Sequence, residues 1–170
     1  MPLPDLLDTE LNVVFVGTAV TASSNAAEAY YATHGNSFYS VLHSVGITPE
    51  LILPEQYRSL IYHGVGLTDL VKGRDALDNE LQRVDFDVEG FKEKMRQFSP
   101  RIICFNGKLA AAYFLLGNNK TKYVDYGRQS ELFKNSIVFV APSTARTALK
   151  YWDENHYIAL AKLINNPLEV

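Results

Sequence analysis

One cysteine in 170 residues, Cys104, excludes any disulfide within the chain, and its place inside an apolar run points to a buried, inert thiol. Zinc chemistry is equally unsupported. The four histidines, His34, His43, His63 and His156, have no partners at ligand spacing. No stretch approaches the roughly 18 consecutive apolar residues of a membrane-spanning helix. Met1-Pro-Leu-Pro-Asp5 has neither a basic leader nor a signal-type apolar core. The expectation is an intracellular, soluble monomer: cytoplasmic, nucleoid-associated in a prokaryote or nuclear in a eukaryote. Gly17-Thr-Ala-Val-Thr21 is neither a Walker loop nor a complete Gly-x-Gly-x-x-Gly, and Ser143 lies outside any nucleophile elbow. Phosphate-loop, dinucleotide and serine-hydrolase chemistry therefore lack support, and no cofactor or metal is expected.

What is present is a globular balance, 47% hydrophobic and 21% charged, enough for one domain spanning residues 1–170. The net charge of −3 conceals a polar distribution. Residues 1–100 carry 7 Lys+Arg against 14 Asp+Glu, whereas residues 101–150 carry 8 against 2. This basic block holds Arg101, Lys108, Lys120, Lys122, Arg128, Lys134, Arg146 and Lys150. Local field rather than net charge attracts phosphate. The block is either a polyanion-facing surface or simply a solvated one.

Apolar runs predict strands at Glu10–Val16, over 101–105 and at Ser136–Val140. Phe38, Val41, Leu42 and Val45 share a helical face, as do Val88, Phe91, Met95 and Phe98, and a last helix is predicted over roughly 147–164. Pro54 to Ile61 is a short helix candidate. The glycine-bracketed Gly64–Asp69 carries no strand assignment, and 73–87 reads as a surface loop. Strands alternating with helices imply an α/β fold: a three-layer α/β/α sandwich with a mainly parallel sheet of four to five strands.

In such a sheet ligands bind beyond the carboxyl ends of the strands. Three strand ends run into small or polar residues: Gly17 to Thr21, Asn106-Gly107 and Pro142 to Arg146. They should converge on one crevice. Asn106, with an amide that donates and accepts at once, either reads a ligand edge or caps the following helix.

Five segments in order, Tyr31-Ala-Thr-His-Gly-Asn-Ser-Phe38, Gly64-Val-Gly-Leu-Thr-Asp-Leu-Val71, Phe105-Asn-Gly-Lys108, Tyr126-Gly-Arg-Gln129 and Pro142-Ser-Thr-Ala-Arg146, resemble the mismatch-specific uracil/thymine-DNA glycosylases of the uracil-DNA glycosylase superfamily. The resemblance implies an enzyme of base excision repair that flips uracil, or another deaminated or mismatched base, out of DNA and hydrolyses its N-glycosidic bond, leaving an abasic site. The implied partner is uracil-containing or mismatched duplex DNA, or single-stranded DNA. By position, Tyr31 would lie against the base, Asn106 would contact its Watson–Crick edge, and Asn36 would shape the pocket or serve as a turn amide. Ser143 and Thr144 would hold phosphates. Ala145 and Arg146 would fill the gap left by the flipped base, and Lys108 would contact phosphate or the helix start.

One departure stands out. The family's first motif carries an asparagine or aspartate that positions the attacking water, and Ala19 occupies its place here. Thr18 with the backbone around Gly17 and Ala19 could hold the water. A carboxylate from elsewhere could substitute, Asp153 first and Glu28 second. The protein could also bind damaged or abasic DNA without cutting, or act on free nucleosides with the same fold. No lysine is evidently placed for a Schiff base, so a monofunctional glycosylase is expected.

Overall fold

The computed structural model describes residues 3–166. Met1, Pro2 and the terminal stretch from Pro167, on which the reading of the chain ends partly rests, lie outside the described residues. Four parallel strands, β1 (Val13–Gly17), β2 (Val65–Asp69), β3 (Ile102–Asn106) and β5 (Ile137–Ala141), are buried almost throughout. β1, β3 and β5 are rich in valine, isoleucine and phenylalanine, as strands covered on both faces require. A two-residue strand, β4 (Gly127–Arg128), pairs antiparallel with β5, and the order is β2-β1-β3-β5-β4.

The loop after β1 holds one short helix, α1 (Ala22–Ala26), started by the Thr21 side chain, which accepts from the Ser24 N–H. Alternation along each strand divides the core in two. Val13, Phe15, Ile102, Cys104 and Phe139 pack with Phe38 and Leu42 of α2 (Phe38–Ser44) and with Tyr157 and Leu160 of α5 (Glu154–Asn165). Val14, Val16, Ile103, Phe105, Val138 and Val140 face Phe91 and Met95 of α3 (Val88–Phe98) and Ala110–Ala112 of α4 (Lys108–Leu116). The result is the expected α/β arrangement, a five-stranded and mostly parallel sheet flanked by helices. Among the described residues, no helix is long and apolar enough to cross a membrane.

Three elements depart from the sequence reading. Gly64–Asp69 contains β2, paired in register with β1 from Val13↔Val65 to Gly17↔Asp69. Gly66 is required there because a β-carbon would stand 2.8 Å from the Leu6 carbonyl oxygen and 2.7 Å from a Leu11 methyl. Residues 73–87 contain two 3₁₀ turns, Asp78–Glu80 and Arg83–Asp85. In each, a carboxylate reaches back to a backbone N–H, Glu80 to Leu77 at 2.8 Å and Asp85 to Gln82 at 2.7 Å. The single helix predicted over 147–164 is a 3₁₀ helix (Arg146–Tyr151) followed by α5. The break comes at Asp153, whose carboxylate accepts from the Asn155 N–H at 3.0 Å and starts α5 afresh.

Candidate active site

The carboxyl ends of β1, β2, β3 and β5 open on one cleft of about 920 Å³. Its walls are the loop after β1, the Tyr31–Asn36 segment, the β3–α4 junction and the loop after β5. The convergence of three strand ends is as expected, and β2 adds a fourth.

The β3–α4 junction is fixed by a reciprocal pair. Asn106 donates from its amide nitrogen to the Thr144 hydroxyl at 3.0 Å and accepts from the Thr144 backbone N–H at 3.0 Å. Next to it Gly107, at φ +98°, lets the two loops touch, since a β-carbon would lie 3.3 Å from that of Ser143. A primary amide has two N–H donors and two carbonyl lone pairs. The clamp uses one of each, and one donor and one acceptor remain for a ligand in the cleft that Asn106 lines.

This clamp changes the reading of the loop after β5. Thr144 is 2% exposed, and besides its bonds to Asn106 its carbonyl accepts from the Ser37 N–H at 3.0 Å. It braces the loop and, although buried, is among the residues lining the cleft. Ser143 is half-buried, and its hydroxyl accepts from the Ala145 N–H at 3.2 Å. Ala145 and Arg146 line the cleft with Arg146 exposed, its aliphatic stem against Gly35, where a β-carbon would come within 2.8 Å of the arginine Cδ.

Of the residues tied to base recognition, Gly17, Ala19, Tyr31, Asn36 and Asn106 all line the cleft. The Tyr31 ring stacks on Phe38 with centroids 4.1 Å apart. Its hydroxyl is buried without a hydrogen-bond partner, and Asn106 does not reach bonding geometry with it. Burial, reinforced by the charge of Asp69, holds the phenol well above the ordinary tyrosine range. Asn36 also caps a turn, its side-chain oxygen accepting from the Phe38 N–H at 3.0 Å.

The catalytic candidates divide. Thr18 lines the cleft and donates its hydroxyl proton to the Asp78 carboxylate. Asp153 is not on the cleft wall. Its carboxylate is half-exposed, caps α5 and lies 3.9 Å from His156. Glu28 is exposed and likewise off the wall. The basic block also divides. Lys108, Lys122 and Arg146 line the cleft, and Lys150 follows on the same 3₁₀ helix. Three lysines there sit over tyrosine rings: Lys108 on Tyr126 at 4.3 Å, Lys122 on Tyr123 at 5.1 Å and Lys150 on Tyr151 at 4.9 Å. Arg101 instead precedes the opposite end of β3, where it donates to the Leu163 and Ile164 carbonyls at the end of α5. Among the described residues no cluster of three or more metal-ligating side chains occurs.

The buried carboxylate of the cleft is Asp69. It ends β2, is 5% exposed, and points an oxygen at Gly17, 2.7 Å from where a β-carbon would stand. Burial raises its pKa to about 6, against the pull of the Lys72 ammonium 3.3 Å away. The sequence signal was Asp69's place at the end of Gly64–Asp69, hidden because two glycines and an aspartate weaken the strand pattern.

A mainly parallel sheet with a cleft at its carboxyl edge is the α/β arrangement in which ligands characteristically sit beyond the strand ends. The family model of the uracil DNA glycosylase superfamily matches residues 4–164, and the chain belongs to that superfamily of DNA-repair glycosylases. Its fold is similar to a solution NMR structure from the archaeon Methanosarcina acetivorans, provisionally named a uracil DNA glycosylase. The TM-score is 0.67 at 21% identity, covering 97% of this chain and 98% of that one.

Proposed function

We propose that the protein is a monofunctional glycosylase that extrudes uracil from DNA into the cleft and hydrolyses its N-glycosidic bond. The observation that carries this reading is Asn106. Its amide is held rigid by Thr144, yet keeps one donor and one acceptor for the edge of a pyrimidine. Tyr31, backed by Phe38, supplies an aromatic wall for the base. Lys108, Lys122 and Arg146 with the adjacent tyrosines supply the basic, stacking rim that a nucleic-acid strand requires. A mismatched thymine or a hypoxanthine would use the same cleft. Other bases differ in the donor and acceptor pattern they present to Asn106.

The test is incubation with labelled duplexes and single strands containing uracil, thymine or hypoxanthine, followed by alkaline strand scission. Scission at uracil is expected, and none on any substrate at excess protein rejects the glycosylase. The presence of Ala19 favours a second reading, a binder of abasic or damaged DNA that does not cut. That protein would retain abasic duplex in a mobility shift while releasing no base. A nucleoside hydrolase would act on free deoxyuridine and be indifferent to Arg146.

A further inference from the structure

With Ala19 where the family's water-positioning residue belongs, the cleft needs another group to bind and activate water. Two carboxylates line it. Asp78 lies at the exposed mouth and accepts from Thr18. Asp69 lies on the floor. The Asp69 oxygen and the unpartnered Tyr31 hydroxyl flank the same point above Gly17, at 2.7 Å and 3.4 Å from the β-carbon that glycine lacks. The Tyr31 hydroxyl is sealed from solvent, whereas the Asp69 carboxylate keeps a small exposure and lines the cleft. The Asp69 carboxylate takes up the side of Gly17 that a side chain would fill, and the two oxygens do not bond to one another.

We infer that Asp69 is the catalytic carboxylate of this protein, the group at the carboxyl edge of the sheet that takes the proton of the attacking water. This role rests on the glycosylase reading. The water oxygen forms a bond to C1′ of the deoxyribose as the bond from C1′ to the base nitrogen breaks. The bonding pair leaves with the base, which departs as its anion, and the water proton passes to the Asp69 carboxylate. That proton then returns to solvent or to the departed base. The negative charge of Asp69 also opposes the positive charge that develops on the sugar.

The surroundings keep the carboxylate basic without neutralising it. Lys72, three residues on, pairs with Asp69 at 3.3 Å and more closely with Asp5 of the amino-terminal segment at 2.7 Å. Lys94 of α3 holds Asp5 at 2.6 Å. Tyr30 accepts from the Lys72 ammonium at 2.9 Å, and its own phenol is pushed far up by burial and by Asp69 and Asp5. Because Lys72 retains Asp5, removing the charge at Asp69 does not orphan a cation.

The experiment measures single-turnover base release from uracil-containing DNA between pH 5 and 8.5 for the wild type, Asp69→Asn and Asp78→Asn, with abasic-duplex binding measured alongside. The wild-type rate should rise through about pH 6 and level off. Asp69→Asn should lose about 100- to 10,000-fold in rate and the rising limb, with abasic binding kept within a few-fold. Asp78→Asn should keep the limb. A wild-type profile flat across this range overturns the role without any variant. So does Asp69→Asn at the wild-type rate, or loss of the limb in Asp78→Asn alone, and in these cases the glycosylase stands. Absence of base release by the wild type overturns the glycosylase and the role of Asp69 together.

Discussion

Asp69 and Gly17 close the ends of neighbouring parallel strands in register, and the aspartate carboxylate occupies the side of Gly17 that a side chain would fill. A methyl group there would stand 2.7 Å from a carboxylate oxygen and 3.4 Å from the Tyr31 hydroxyl. Gly17→Ala therefore displaces the Asp69 carboxylate, while the Tyr31 hydroxyl stays at ordinary contact distance. Overpacking of this kind costs about 1–3 kcal/mol of stability. The larger effect falls on chemistry, since a misplacement on the order of 1 Å can cost about 100-fold. Single-turnover base release should fall by roughly that factor while thermal melting stays cooperative. A fully active Gly17→Ala would show that nothing reactive happens above this glycine.

Asn106→Ala removes more than a contact to the base. It leaves the Thr144 N–H and hydroxyl without Asn106 and frees the Ser143–Arg146 loop. Each buried group left unsatisfied costs about 1–3 kcal/mol. Base release should be abolished, and abasic-duplex binding should weaken as well because the loop that carries Arg146 loses its brace. The measurement is the pair of affinities for uncut and abasic duplex. Abasic binding at wild-type strength would confine Asn106 to base recognition.

The contrast between Asn106 and Asp69 shows what the sequence could carry. Phe105-Asn-Gly-Lys108 was legible because an apolar strand gives way at once to an amide, a glycine and a helical pattern, and those transitions are local. The sheet and its cleft edge followed from three such transitions. Asp69 was not legible, because its importance lies in the register of β2 against β1, and β2 with the residue before it carries two glycines that obscure it. The placement of Asp153 was not legible for a related reason. An apolar pattern running through 147–164 conceals that the helix stops and starts again, and a capping aspartate in mid-pattern then passes for a free one. The bracing role of Thr144 was not legible either, because burial is a property of the packed loop and not of Pro-Ser-Thr-Ala-Arg.

Arg146 is exposed, and its stem rests on a glycine, so replacing it with alanine should change stability by no more than about 0.5 kcal/mol. Its expected effect is on DNA. Arginine can fill the gap left by an extruded base by stacking as well as by charge. Arg146→Ala should slow release from paired duplex more than from single strands, which have no partner base to displace. If Arg146 also neutralises a phosphate, the slope of log affinity against log salt should fall by about 1. Equal losses on both substrates would restrict it to electrostatic attraction.

Asp69 should also betray itself as a residue kept at the expense of stability. Its carboxyl titrates at about 6 in the folded protein against an ordinary aspartate value of 3.8, so the fold prefers the protonated form. Stability tied to this group is fully present below about pH 4 and is lost as pH rises through about 6. Above that, the buried charge costs on the order of 3 kcal/mol at most. The neutral amide that Asp69→Asn introduces would imitate the protonated form at every pH. Asp69→Asn should therefore match the wild type near pH 4 and melt at a higher temperature at pH 8, while losing base release. The Lys72–Asp5–Lys94 pairs remain and keep the surrounding charges compensated. Melting curves of both proteins across that pH range check the sign. An aspartate retained for structure alone would give the opposite result, a variant destabilised at pH 8 by loss of its pair with Lys72.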